Sequence, residues 1–157
     1  MKRIWLLTLC LLVTGCGIAP SGVTQVGRAP TGLAPGVTLY FVDADNRLQP
    51  DLRPTDHLGT ISEAMSLLLT GPGGSKLRTQ ITSDGARLVV VNTRPGLIQL
   101  MLPLARYEVT ALGMDQLVCT ALGVWVQSGG SKSTKVQLRF TLTTPESDKQ
   151  RTCPVIQ

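Results

Sequence analysis

Apolar residues follow two different rhythms between Val37 and Thr143. Val37, Leu39 and Phe41 alternate with Thr38, Tyr40 and Val42, which predicts a strand over 37–42. Asp43-Ala44-Asp45-Asn46 then predicts a turn, because short polar side chains bond their own backbone there. The rhythm next changes to a helical one. Ile61, Ala64, Met65 and Leu68 fall on one helix face behind Thr60-Ile61-Ser62-Glu63, a capping box, and Gly71-Pro72 ends that helix. Arg87–Asn92 and Leu97–Leu102 flank Thr93-Arg94-Pro95-Gly96, where Pro then Gly suits a tight turn, so a hairpin is expected. A second helix starts near Thr110 with a stripe of Met114, Leu117, Val118 and Ala121, and Gly123 suits its end. After a loose Gly129-Gly130 loop, a strand is expected from Lys135 to Thr143. Val136, Leu138, Phe140 and Leu142 face inward there, and Gln137, Arg139 and Thr141 face outward.

The predicted order is β-α-β-β-α-β. Two helices packed on one face of a mixed sheet bury both apolar stripes, so the fold class is α+β in a single small domain. The polar outward set on the last strand fits a sheet with one wet face.

The residues ahead of this unit read as an address. Met1-Lys2-Arg3 precedes an apolar run from Ile4 to Val13 that contains Cys10. Ten helical residues reach about 15 Å, half a bilayer core, so the run fits a signal peptide and is too short to span. Val13-Thr14-Gly15-Cys16 follows and looks like a bacterial lipobox. The expectation is that residues 1–15 are removed and that Cys16 carries the lipid. Two acyl chains hold a protein firmly, where one holds it marginally. Residues 16–36 are then a lipidated cysteine and a linker, with five glycines and three prolines from Gly17 onward. As a flexible coil that linker spans about 25 Å. Residues 37–144 form the domain, and 145–157 a polar tail.

Three stretches carry a family resemblance: Val37-Thr-Leu-Tyr-Phe-Val42, Ala64-Met-Ser-Leu-Leu-Leu-Thr-Gly-Pro72 and Gln116-Leu-Val-Cys-Thr-Ala-Leu122. Together they resemble the sporulation and spore germination domain called GerMN, over residues 37–144. That family has a first strand with Tyr-Phe, a helix ending Leu-Leu-x-Gly-Pro and a later helix with Gln-Leu-Val-x-Thr. The chain departs from it at 77–86, which lacks the family's proline-containing stretch. The resemblance implies an interaction module of the cell envelope with no catalytic residues to carry over. Ten arginines against five lysines suit a GC-rich genome and, with the lipobox, an actinobacterial source.

Composition narrows the chemistry. The formal charge of +5 falls to +3 once Lys2 and Arg3 leave with the leader, too little and too scattered for nucleic acid. One histidine rules out a histidine cluster for metal, and 4% aromatic residues are few for a sugar-binding platform. His57 beside Asp56 has the parts of a general base but no nucleophile motif, so a surface histidine is expected. Gly71-Pro72-Gly73-Gly74-Ser75-Lys76 lacks phosphate-loop spacing and follows a helix instead of opening one. Asp43, Asp45 and Asn46 resemble the start of a calcium loop, but Leu48 and Pro54 stand at its glycine and glutamate positions. Trp125 and Tyr107 are expected to cover the two ends of the second helix, with exposed contacts as the alternative.

Cys119 and Cys153 remain in the mature chain. Outside the cytoplasm two cysteines in one small domain tend to pair, and the polar tail needs an anchor, so a Cys119–Cys153 disulfide is expected. A buried free Cys119 with an idle Cys153 is the alternative, and a free-thiol count separates the two.

The expectation for function is a lipid-anchored lipoprotein on the extracytoplasmic face of the cell membrane. Its partners are the membrane, through Cys16, and another envelope protein, with no catalytic residues, no metal and no cofactor. Sporulation, germination or envelope signalling is the implied process. A cell-wall-binding or wall-acting protein is the alternative.

Overall fold

A computed structural model describes residues 36–85 and 88–156. The expected leader, Cys16 and most of the linker lie outside the described residues.

Two strands open the unit: β1 (Gly36–Val42) and β2 (Leu48–Pro54), antiparallel, with Tyr40 opposite Pro50. The Asp43 carboxylate builds the turn between them, accepting from the backbone N–H groups of Asp45 and Arg47 (2.9 Å each). The sequence reading had no β2. Its residues, Leu-Gln-Pro-Asp-Leu-Arg-Pro, include two prolines and only two large apolar side chains, one of which, Leu52, is exposed. Proline cannot donate to a ladder, so such a segment serves only as an edge strand.

Helix α1 (Ile61–Thr70) forms behind its capping box. The Glu63 N–H donates to Thr60 Oγ1 (3.2 Å), and the Thr60 N–H donates to Glu63 Oε2 (2.6 Å). Strands β3 (Val90–Arg94) and β4 (Leu97–Met101) are the expected hairpin, shifted toward the turn, with Pro95-Gly96 as its two loop residues. Gly96 has φ 72°, the positive value a type II turn requires after proline. A 3-10 turn (Arg106–Glu108) leads to α2 (Ala111–Gln127), capped by Thr110. Strand β5 (Lys135–Arg139) pairs parallel with β4. A second 3-10 turn (Pro145–Asp148) leads to β6 (Gln150–Arg151), antiparallel to β5.

The fold is α+β, with a four-stranded mixed sheet in the order β3-β4-β5-β6 and a separate two-stranded ribbon β1-β2. Ile98, Leu100, Val136 and Leu138 form the sheet's buried face. Helix α1 meets it at β3 and α2 meets it at β5. Helix α2 also contacts α1 and β1, so it is enclosed between ribbon and sheet. Every residue from Met114 to Val124 except Asp115 is buried, where a single stripe had been expected. A helix surrounded by other elements needs no polar face.

The enclosure leaves polar groups to satisfy. The outer edge of β1 forms a single backbone bridge, Val42 with Arg78, and otherwise meets α2 side chains in place of another strand. Tyr40 N–H donates to Thr120 Oγ1 (3.0 Å), and Gln116 Nε2 donates to the Tyr40 carbonyl (3.0 Å). The Gln116 Oε1 accepts from the Gln80 N–H (2.8 Å). Both side chains are fully buried. Gly113 lets residue 80 approach, since a Cβ there would stand 2.3 Å from the Gln80 carbonyl oxygen.

The last strand stops at Arg139 and does not run on to Thr143. Thr141 turns back, its N–H donating to the Leu104 carbonyl (2.9 Å), and Leu142, expected inside, is exposed. The expected polar tail is part of the fold. Cys153 is bonded to Cys119 of α2, with Cα atoms 4.8 Å apart and both residues buried.

Two stability outcomes follow. Gln116→Leu strands the Tyr40 carbonyl and the Gln80 N–H in the interior at about 1–3 kcal/mol each, so urea unfolding should show a loss of about 3 kcal/mol. A loss below about 1 kcal/mol would mean that the backbone finds other partners. Replacing Cys119 and Cys153 together by alanine frees a loop with a sequence separation of 34. By chain entropy that costs about 4 kcal/mol in the same measurement, and no change would remove the bridge's role.

Candidate functional site

Three surface features have the shape or chemistry to engage another molecule. The first is a groove of about 430 Å³ along α1, between the start of β1 and residue 88. Leu58, Leu67 and Leu88 give it apolar walls, and Thr55, His57 and Ser62 supply polar groups. Those polar groups are largely committed to structure. The Ser62 hydroxyl donates to the Val89 carbonyl (2.6 Å), tying α1 to the segment entering β3. The Thr55 hydroxyl donates to the His57 carbonyl (2.5 Å) in a turn where Asp56 has φ 59°. Glu63 is the returning member of the capping box, and the Thr60 N–H holds its carboxyl below the usual carboxylate range. His57 and Asp56 are both exposed, and no hydrogen bond or ion pair joins them. Serine, histidine and carboxylate thus border one groove without forming a relay.

The second feature is a more open groove of about 510 Å³ between the start of β2, the first turns of α2 and the residues after β6. Arg47, Leu112, Asp115 and Val155 line it. Asp115 is half-buried and has no hydrogen bond or ion pair among the described residues. Burial raises its carboxyl above the ordinary value, and the Arg151 guanidinium partly opposes that rise.

The third is the outer face of the four-stranded sheet. Gln99 Nε2 donates to Gln137 Oε1 (2.7 Å), and Gln137 Nε2 donates to the Ser147 carbonyl (2.9 Å). The 3-10 turn at 145–148 therefore covers Gln137, which sequence alone placed on a wet face. The other half of the face is open. Val90 opposes Met101, Met101 opposes Arg139, and Arg94 and Lys135 flank Leu97. Val90 is 53% exposed and Met101 42%.

The remaining candidates resolve into structural roles. The Asp43 carboxylate also accepts from Gln49 Nε2 (2.9 Å), and the Arg47 N–H is the foremost cause of its lowered pKa. Asn46, at φ 60°, takes a donor from Arg78. Those oxygens are spent on the turn. The 71–76 loop stands at the carboxyl end of α1, where Gly71 N–H bonds back to Leu68. Trp125 covers the end of α2 as expected, its Nε1 donating to Thr134 Oγ1 (3.0 Å). Tyr107 does not cover the start, because it stands 87% exposed on its 3-10 turn. Among the described residues no three His, Cys, Asp or Glu side chains are placed to hold a metal ion. No described helix is long and apolar enough to cross a membrane.

Sequence reasoning expected an open face on the sheet, but it missed the α1 groove and the apolar half of that face. Both depend on Leu88 and Val90, which look like interior positions in an apolar run. Nothing in that run signals that β3 is a sheet edge.

No protein-family model, curated protein or solved structure matches the chain. The resemblance to the GerMN domain rests on its three motifs.

Asp115 gives a pH test of the second groove. Its pKa is raised in the folded state, so its ionised form costs stability at neutral pH, and the cost fades as the group protonates on acidification. Asp115→Asn should therefore raise the urea midpoint at pH 7, with the gain shrinking toward pH 4. An equal effect at both pH values would remove the burial argument.

Proposed function

We propose that this protein is a lipid-anchored lipoprotein of the cell envelope, held at the extracytoplasmic face of the membrane through lipid on Cys16. Its folded unit is a GerMN-like, non-catalytic protein-interaction module, in sporulation, germination or envelope signalling. The order of charge, apolar run, Thr-Gly and Cys over residues 1–16 carries the anchoring. The interaction role is supported by polar side chains committed to caps, turns and buried edges while apolar surface stays open on the sheet. The α1 groove, with His57 on its rim, favours the second reading, a wall-binding or wall-acting protein.

Chemical crosslinking on native membranes, with the tagged chain and a Cys16→Ser control, separates the two. Recovery of one envelope protein with the anchored form, depleted in the control, is the expected outcome. Only background proteins across repeated growth stages would overturn the module. Turnover of wall fragments, lost in His57→Ala, would then establish the alternative.

A further inference from the structure

Resting on the interaction-module reading, we infer that β3 is the docking edge, and that an extended, acidic segment of a partner protein adds to it as a fifth strand. The four strand edges of the fold are treated very differently. β2 carries Pro50 and Pro54. The free side of β1 is closed by Gln116 and Thr120 at Tyr40 and by the Arg78 backbone at Val42. β6 is two residues long, with Cys153 in its disulfide and Pro154 just beyond. Prolines, short strands and covering groups are the ordinary means of blunting an edge. β3 has none of them along its length, and the adjoining Pro95 lies in the hairpin loop. Its residues are Val-Val-Asn-Thr-Arg, three of five β-branched, and no other described segment pairs along it.

Register fixes which groups are available. Pro95-Gly96 is a two-residue loop, so Arg94 and Leu97 form a hydrogen-bonded pair, as do Asn92 with Gln99 and Val90 with Met101. The N–H and C=O groups of Val91 and Thr93 therefore point away from β4, ready for another strand. Apolar surface accompanies them. Leu88, 73% exposed, precedes the strand, and Val90 and Met101 sit side by side on the outer face. Leu88 also walls the α1 groove, so a segment running along β3 passes straight to an apolar recess.

Charge identifies the occupant. β3, β4 and β5 contain Arg94, Lys135 and Arg139 and no carboxylate. Arg139 bonds Asp148, but Arg94 and Lys135 make no ion pair among the described residues. Pairing β3 with β3 of a second copy would join two such cationic faces into one sheet. An acidic strand neutralises them, since opposite charges on neighbouring strands attract and like charges repel.

The test uses the full chain in native membranes with p-benzoylphenylalanine placed at Asn92, exposed on β3, or at Val155, beyond the opposite sheet edge. A photoadduct at Asn92 is expected, with the attached fragment of the partner bearing at least two carboxylates. Val91→Pro removes one outward N–H and leaves the β4 ladder intact, and it should cut that adduct at least fivefold. Arg94→Glu combined with Lys135→Glu, both on the surface, should do the same and covers the case in which the proline variant misfolds. An Asn92 adduct unchanged in both variants, or a fragment without acids, overturns the proposal. So does an adduct of two copies of this chain. An adduct at Val155 alone overturns the edge but leaves the interaction module standing, whereas none at either position overturns both.

Discussion

The amide of Gln116 is the interaction on which the rest of the structure depends. A strand has two hydrogen-bonding edges, and β1 uses only one of them on β2. At Val42 its other edge pairs with the Arg78 backbone, but at Tyr40 it faces a helix, which has no free backbone groups to offer. Gln116 and Thr120 supply what a neighbouring strand would have supplied, and the same glutamine also holds residue 80 against α2. With those bonds made, α2 can be buried on every side. Without them the ribbon would leave a carbonyl and an N–H unpaired inside the unit, and the layer covering α2 would not close.

Much of this was legible in the sequence, for reasons that differ by element. Helix α1 carries local signals, a capping box and a Gly-Pro stop, that do not depend on the rest of the fold. The Pro95-Gly96 hairpin is equally local. Helix α2 was legible as a helix but not in its environment. A stripe of Met114, Leu117, Val118 and Ala121 hides the fact that Gln116 and Thr120, polar in type, are buried to serve β1. β2 and β6 were invisible because they have little apolar content, and each becomes a strand only where a better strand offers it an edge. Leu142 went wrong for the converse reason. Its alternation continued that of β5, but Thr141 turned the chain away to bond Leu104.

The surface shows the same division. Candidates resting on residue type, such as the Asp43 turn and the glycine-rich loop after α1, fell into structural roles once their hydrogen bonds were visible. Features that depend on placement had no sequence signature. Leu88, Val90 and Met101 are ordinary strand residues, and only the strand order makes them surface. The covering of Gln137 by the 145–148 turn is likewise a tertiary event that alternation cannot express.

The seating of β1 on α2 also sets the timing of assembly. The Tyr40 bonds to Thr120 and Gln116 join residues 80 and 76 positions apart in the chain. A chain emerging amino end first produces the ribbon early and the side chains that seat it much later. Until α2 arrives, β1–β2 is an isolated pair of strands, which has little stability in water. Long-range closures of this kind slow folding.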